Sequence, residues 1–166
     1  MEKHVMQYQT VHFNLNGKDV ERTVDVRASL TDMLRNDFRM TSVKKGCEVG
    51  ECGACNVLID GEAYNSCIYL AVWAEGKHIR TLEGLLGPNS DIQQAFVDEA
   101  AIQCGFCTPG FILTAVEILE SGKEYTDDEL RKLLSGHLCR CTGYENILRA
   151  VKKTMYKRLG KPMPEA

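Results

Sequence analysis

Eight cysteines occur in this chain, and they fall into two groups of four. The first group consists of Cys47, Cys52, Cys55 and Cys67. Its spacing, C-x4-C-x2-C followed after eleven residues by a lone cysteine, is that of plant-type [2Fe–2S] sites. A structural zinc site is the alternative, but zinc usually takes two separated C-x2–4-C pairs. Because three of these cysteines share one short loop, the spacing favours an iron–sulfur cluster.

Three glycines, Gly46, Gly50 and Gly53, accompany this loop. Glycine permits positive φ angles and close approach of the backbone, so the loop is expected to curl around a cluster and direct N–H groups at its sulfurs. Such N–H groups stabilise the additional negative charge of a reduced cluster, and thereby help to set its potential.

The second group consists of Cys104, Cys107, Cys139 and Cys141, spaced as C-x2-C, thirty-one residues, then C-x-C. Four thiolates suit either zinc or a [2Fe–2S] cluster, and this spacing does not decide between them.

Composition excludes several other classes of protein. The chain has 166 residues with a net charge of −3, 44% hydrophobic and 26% charged, which is typical of globular proteins and not of nucleic-acid-binding ones. No apolar run has the length of a membrane span. Residues 1–10 lack an apolar export signal, so a cytoplasmic location is expected. In a reducing compartment the cysteines are metal ligands and not disulfides.

The elements around the first group predict a small mixed domain. Alternating apolar residues at 11–15 indicate a strand, and Asn16-Gly17 favours a type I′ hairpin turn into a second strand. Ser29 is a candidate cap for a short helix. A second hairpin at Asp60-Gly61 returns the chain to Cys67, so folding supplies the fourth ligand.

The second half predicts four helices. They are expected to begin at Ser90 or Asp91, at Thr108-Pro109, at a capping box over Thr126–Glu129, and at about Tyr144. The first is expected to reach Ile102 and the last Leu159. Both cysteine pairs then lie in loops between helices, where helix N-termini favour an anionic cluster.

The predicted fold class is therefore α+β. It comprises a plant-type ferredoxin-like β-grasp domain over residues 1–82 and an antiparallel four-helix bundle, the helical [2Fe–2S]-binding domain, over residues 83–166. The segment from Thr81 to Ser90, with Gly84, Gly87 and Pro88, is the predicted linker.

Four stretches, GCEVGECGAC at 46–55, NSC at 65–67, QCGFCTPG at 103–110 and LCRCTGY at 138–144, resemble one family. It is the small iron–sulfur subunit of the molybdenum hydroxylases, which include xanthine dehydrogenase, aldehyde oxidase and aerobic carbon monoxide dehydrogenase. The likeness runs from about Val11 to Tyr156, and its last two motifs favour a cluster over zinc at the second group. His137 departs from a common asparagine and Val49 from a frequent acidic residue, and neither is a ligand.

The resemblance implies an electron-transfer subunit of a heteromeric molybdenum-dependent oxidoreductase, with no catalytic residue of its own. A molybdopterin centre on a large partner would hydroxylate a xanthine-, aldehyde- or heterocycle-type substrate. Electrons would enter at the cluster held by the Cys104 group and leave through the Cys47 group to FAD on a medium partner. The assembly would be a heterotrimer or a dimer of heterotrimers, and Gln103 and Cys141 would touch the pterin.

Other interpretations remain. The chain could be a freestanding ferredoxin-like carrier, which would be stable and monodisperse alone, or a metal-stabilised module without redox chemistry. Gln103 could simply be a polar residue ending a helix. With eight cysteines available as ligands, the histidines are predicted to be surface or packing residues: His4, His12, His78 and His137.

Overall fold

The computed structural model describes residues 7–85, 87 and 90–164. The predictions that concern the amino-terminal residues before Gln7, including His4, and the linker residue Pro88 lie outside the described residues.

A five-stranded mixed sheet forms the first half, in the order β2-β1-β5-β3-β4. The strands are β1 Tyr8–Leu15, β2 Lys18–Asp25, β3 Asn56–Ile59, β4 Glu62–Asn65 and β5 His78–Arg80. Both predicted hairpin turns are present. Asn16 and Gly17 have φ of 53° and 84°, and Asp60 and Gly61 have φ of 51° and 96°, as a type I′ turn requires.

The short helix predicted after Ser29 is present but changes its geometry. Helix α1, Leu30–Asp32, is capped by the Ser29 hydroxyl, which accepts from the Asp32 N–H at 3.0 Å. It then widens into a π-helical turn over Met33–Asp37. This segment buries Leu30 and Leu34 in the core of the first half.

Strand β5 was not predicted. It pairs in parallel with β1 and antiparallel with β3, and so joins the two hairpins into one sheet. Three residues with a single buried member, Ile79, give too short an alternation to be recognised in the sequence.

Four helices in the second half are α2 Ser90–Asp98, α3 Thr108–Glu120, α4 Asp127–Leu133 and α5 Glu145–Arg158. Helix α5 contacts each of the other three. Helix α2 is shorter than expected. It ends before Ala100, which has φ of 52°, and Ile102 lies beyond it. Helix α3 begins one residue early, because Cys107 and not Thr108 occupies the N-cap.

The predicted capping box at α4 is confirmed. The Thr126 hydroxyl accepts from the Glu129 N–H, and the Glu129 carboxylate accepts from the Thr126 N–H at 2.7 Å. Replacing Thr126 by alanine is expected to lower the free energy of unfolding by about 1 kcal/mol, because one helix-end donor loses its partner. Urea denaturation measures this loss. A Glu129→Gln variant keeps the box and should lie between Thr126→Ala and the parent chain.

The two halves share one interface. Leu58 of β3 is fully buried within the helical core, and Arg80 of β5 forms a bidentate ion pair with Glu120 of α3 at 2.6 and 2.7 Å. The first residue of the predicted linker is held in place by burial and a hydrogen bond. Thr81 is fully buried, and its N–H donates to the Asn16 side chain at 2.8 Å.

None of the described helices combines the length and apolar character needed to span a membrane.

Candidate metal centres

The first metal loop, residues 46–55, gathers N–H groups around one sulfur. The Cys47 Sγ accepts from the N–H groups of Val49, Glu51 and Cys52 at 3.5, 3.3 and 3.4 Å. These hydrogen bonds, led by that from Val49, lower the pKa of the Cys47 thiol to about 6. Gly50 has φ of 83°, as the curled loop requires. The loop backbone thus presents donors to a cysteine sulfur, and the prediction that N–H groups face the sulfurs of a bound cluster stays a prediction.

Cys67 returns to this loop beside Cys55. Burial, followed by the neighbouring Cys55 sulfur, raises the pKa of the Cys67 thiol to about 11. Two side chains just before Cys67, at the end of β4 and directly after it, hold it there. Asn65 donates to the Gly50 carbonyl at 2.7 Å, and the fully buried Ser66 hydroxyl donates to the Cys55 carbonyl at 2.6 Å.

The second metal loop, residues 136–144, meets Cys104 and Cys107 from the turn before α3. The Cys104 and Cys141 sulfurs lie 3.7 Å apart. Cys107 lies beside Cys139, and burial together with that sulfur raises the pKa of the Cys107 thiol to about 12. The Cys139 sulfur accepts from the Thr142 N–H at 3.4 Å. The structure therefore brings together all four cysteines of the second group.

Each centre consists of two pairs of thiols. The first centre pairs Cys47 with Cys52 and Cys55 with Cys67, and the second pairs Cys104 with Cys141 and Cys107 with Cys139. Two pairs of thiolates suit a cluster in which each of two irons is held by two cysteines.

The closeness of the Cys104 and Cys141 sulfurs also changes how readily their thiols ionise. The Cys104 sulfur raises the pKa of the Cys141 thiol, first by accepting a hydrogen bond from it and then by charge repulsion between the two sulfurs. Bound metal removes this repulsion and deprotonates its thiol ligands. All eight cysteines are free thiols in the structure, so each centre retains its four donors.

Gln103 lies at the exposed edge of the second centre. Its side-chain N–H donates to the Cys141 carbonyl at 3.0 Å. Cys104 and Cys141 are the two exposed cysteines, whereas Cys107 is buried. Since α2 ends at Asp98, Gln103 does not end a helix. The two residues singled out together from the sequence thus occupy one surface position.

Sequence reasoning missed the contact between the two metal loops. The Leu138 N–H donates to the Cys52 carbonyl at 3.1 Å. His137 is only 3% exposed, and burial lowers the pKa of its imidazole to about 4, so it is neutral at physiological pH. It was predicted to be a surface or packing residue, and it packs. His12 and His78 are largely exposed.

An α+β fold with two centres of four thiols defines a two-cluster iron–sulfur protein. Residues 13–82 match the family model for a 2Fe-2S iron-sulfur cluster binding domain, and residues 81–152 match that for a [2Fe-2S] binding domain.

Known proteins resemble the chain over most of their length. It is 48% identical over 142 residues to the nicotine 6-hydroxylase small subunit of Paenarthrobacter nicotinovorans, covering 85% of this chain and 86% of that one. It is 48% identical over 146 residues to the xanthine dehydrogenase iron-sulfur-binding subunit of Escherichia coli O157:H7, covering 86% and 91%.

A solved structure is also similar to this chain. The structure of quinoline 2-oxidoreductase from Pseudomonas putida 86 superimposes with a TM-score of 0.86 at 42% identity, covering 94% of this chain and 99% of that one. The chain belongs to the family of two-[2Fe–2S] iron–sulfur small subunits of the molybdenum hydroxylases.

Proposed function

We propose that this chain is the electron-transfer subunit of a molybdenum hydroxylase, carrying electrons from a molybdopterin centre on a large partner subunit to FAD on a medium one. The observation that carries the proposal is the pair of four-thiol centres whose loops touch. The first centre is assigned to Cys47, Cys52, Cys55 and Cys67, and the second to Cys104, Cys107, Cys139 and Cys141. When bound, each [2Fe–2S] cluster supplies one-electron chemistry.

The exposed groups support a relay with a separate partner at each centre. Cys104, Cys141 and Gln103 lie at the surface on one side of the second centre. Val49 of the first metal loop is 64% exposed, so the first centre also has an open edge. Each centre therefore has its own approach for a partner, while the inner sides meet at Cys52 and Leu138.

The finer architecture and assembly follow the same proposal. Residues 1–82 form the plant-type ferredoxin-like domain and residues 83–166 the helical domain, whose four helices make an antiparallel bundle. The complex is a heterotrimer or a dimer of heterotrimers, and its eight free thiols suit a reducing, cytoplasmic location. The relatives are named for nicotine, xanthine and quinoline, which supports a nitrogen heterocycle as the partner's substrate.

Isolation of the native complex tests this assignment. The chain should copurify with two other subunits, molybdenum and FAD, and a nitrogen heterocycle should bleach its visible absorption under anaerobic conditions. If the chain is purified without partners, monodisperse, with both clusters intact, and reduces several unrelated acceptors, it is a freestanding carrier instead.

Gln103 and Cys141 are proposed to contact the pterin. Replacing Gln103 by alanine in the assembled complex should slow reduction of the clusters by substrate roughly tenfold or more, because a polar contact at the point of electron entry is lost. Stopped-flow absorption measures this rate. Gln94→Ala is the control, since Gln94 is an exposed glutamine of α2 that pairs with Asp98. An unchanged rate in Gln103→Ala would remove Gln103 from the path.

A further inference from the structure

A hydrogen bond between backbone groups connects the two metal loops. Leu138 donates its N–H to the Cys52 carbonyl at 3.1 Å. Cys52 belongs to the first group of thiols, and Leu138 immediately precedes Cys139 of the second. The path from the Cys52 sulfur to the Cys139 sulfur therefore consists of covalent bonds and this one hydrogen bond. Electrons tunnel more readily through such a chain of bonds than across a gap.

Phe106 also lies at the contact between the two centres, which we call the junction. It belongs to the turn between Cys104 and Cys107, yet its ring reaches the first metal loop. A Cβ placed on Gly46 would lie 3.4 Å from the Phe106 ring and 2.9 Å from the Cys52 Sγ. An aromatic ring from the turn of the second centre thus lies near the Cys52 sulfur of the first, although the Phe106 side chain remains 45% exposed.

His137 holds the junction from within the protein. Its Nε2 lies 2.8 Å from the Thr114 hydroxyl of α3, and its ring stacks on Phe111 with centroids 4.4 Å apart. On the other side the imidazole abuts Gly53, where any Cβ would overlap the His137 Nδ1. Asn56 of β3 donates to the Thr114 hydroxyl at 3.0 Å and completes the group.

This polar group is costly to bury. Within the described residues, the Asn56 Oδ1 has no hydrogen-bond partner, whereas the His137 imidazole is hydrogen-bonded to the Gly53 backbone. An unpaired buried polar atom lowers stability, whereas apolar side chains of similar volume would fill the same space without that cost. Polar networks of this kind fix one arrangement of the elements that they join. The elements joined here are β3, α3 and the second metal loop.

We propose that electrons cross between the two centres through the Cys52–Leu138 hydrogen bond, and that His137 is a positioning residue that keeps this bond in place. The inference rests on the proposed assignment of one cluster to each group of cysteines. In each crossing, one electron leaves the second centre, which is oxidised, and enters the first, which is reduced. No bond is made or broken.

Leu138→Pro and Leu138→Ala, prepared in the full chain with both clusters, test the route. Proline removes the N–H donor, whereas alanine keeps it and only shortens a side chain that is 60% exposed. After flash reduction, freeze-quench EPR follows the electron from one cluster signal to the other. The proposal requires transfer in Leu138→Pro to be at least severalfold slower than in Leu138→Ala. Equal rates, with both clusters present, would overturn it.

Thr114→Val tests the positioning role without altering a metal loop. It removes the hydroxyl partner of His137 in a side chain of similar shape. The fully reduced variant should show a weaker magnetic interaction between the two cluster signals and slower transfer, and a Thr114→Ser variant should restore both. If Thr114→Val matches the parent chain in both readouts, His137 has no positioning role.

Different results would refute the assignment of one cluster to each group of cysteines and the proposed route between the two centres. Iron analysis of each variant and of the parent chain shows whether two clusters are bound. A parent chain without two [2Fe–2S] signals refutes the assignment of the centres. Two signals combined with equal transfer rates refute only the route. If Leu138→Pro does not retain both clusters, the Thr114 variants carry the test: slower transfer in Thr114→Val that Thr114→Ser restores supports the proposal, and unchanged transfer overturns it.

Discussion

Replacing Cys55 by alanine is expected to abolish one of the two clusters and leave the other intact. Cys55 is 2% exposed and lies beside Cys67, so bulk solvent has little access to the position of its sulfur. Iron per chain should fall from about four atoms to about two, because each cluster contains two irons. Quantitative iron analysis together with EPR of the reduced variant measures both the loss and the identity of the remaining centre.

Cys107→Ala is the matched variant, since Cys107 is the buried cysteine of the second group. It should abolish the complementary EPR signal. The two variants must therefore give different remaining spectra, and each must correspond to one of the two cluster signals of the parent chain. If both lose the same signal, or if either keeps four irons, the division of the cysteines into two independent groups of four is wrong.

Gly110→Ala is expected to destabilise the chain, although the substitution favours a helix. Gly110 lies in α3, where alanine has the better intrinsic propensity by about 1 kcal/mol. A Cβ at this position would overlap the carbonyl oxygen of Gly53 in the first metal loop. Because this contact is with backbone, the helix and the loop must separate, and overpacking of this kind costs about 1–3 kcal/mol. Urea denaturation of the cluster-loaded chain measures the net loss.

Gly136→Ala provides the control for that prediction. Gly136 lies in the second metal loop, and a Cβ there has no neighbour within 4 Å. Its denaturation midpoint should stay close to that of the parent chain. A Gly110→Ala variant as stable as Gly136→Ala would show that α3 does not press against the first metal loop.

Local signals in the sequence predicted local structure well. Both type I′ turns and the capping box at Thr126 depend on residues adjacent in the chain, and all three are confirmed. Glycine spacing in the first metal loop likewise predicted a curled backbone, whose N–H groups reach the Cys47 sulfur. The α+β class follows from the change in apolar periodicity between the two halves.

Features that depend on distant residues were not predictable in the same way. Strand β5 is recognisable only from its neighbours β1 and β3, which lie far away in sequence. The hydrogen bond from Leu138 to Cys52 joins residues of two different motifs, and neither motif specifies where the other will lie. His137 gave no periodic signal, because it lies in a loop and its partner Thr114 comes from a helix.

Helix ends were placed less accurately than helices. The predicted extension of α2 to Ile102 was wrong because the chain turns at Ala100, a residue type that rarely adopts positive φ. Thr108 was assigned as a cap by its type, but Cys107 precedes the helix in the structure. That shift places the N-terminus of α3 directly at a proposed ligand of the second centre.

EPR of the fully reduced chain, combined with metal analysis, tests the central claim most directly. Two centres with different surroundings, one with three N–H groups on Cys47 and one with an exposed pair at Cys104 and Cys141, should give two distinct [2Fe–2S] signals and about four irons per chain. A single signal, or a colourless protein that contains zinc, would contradict the account.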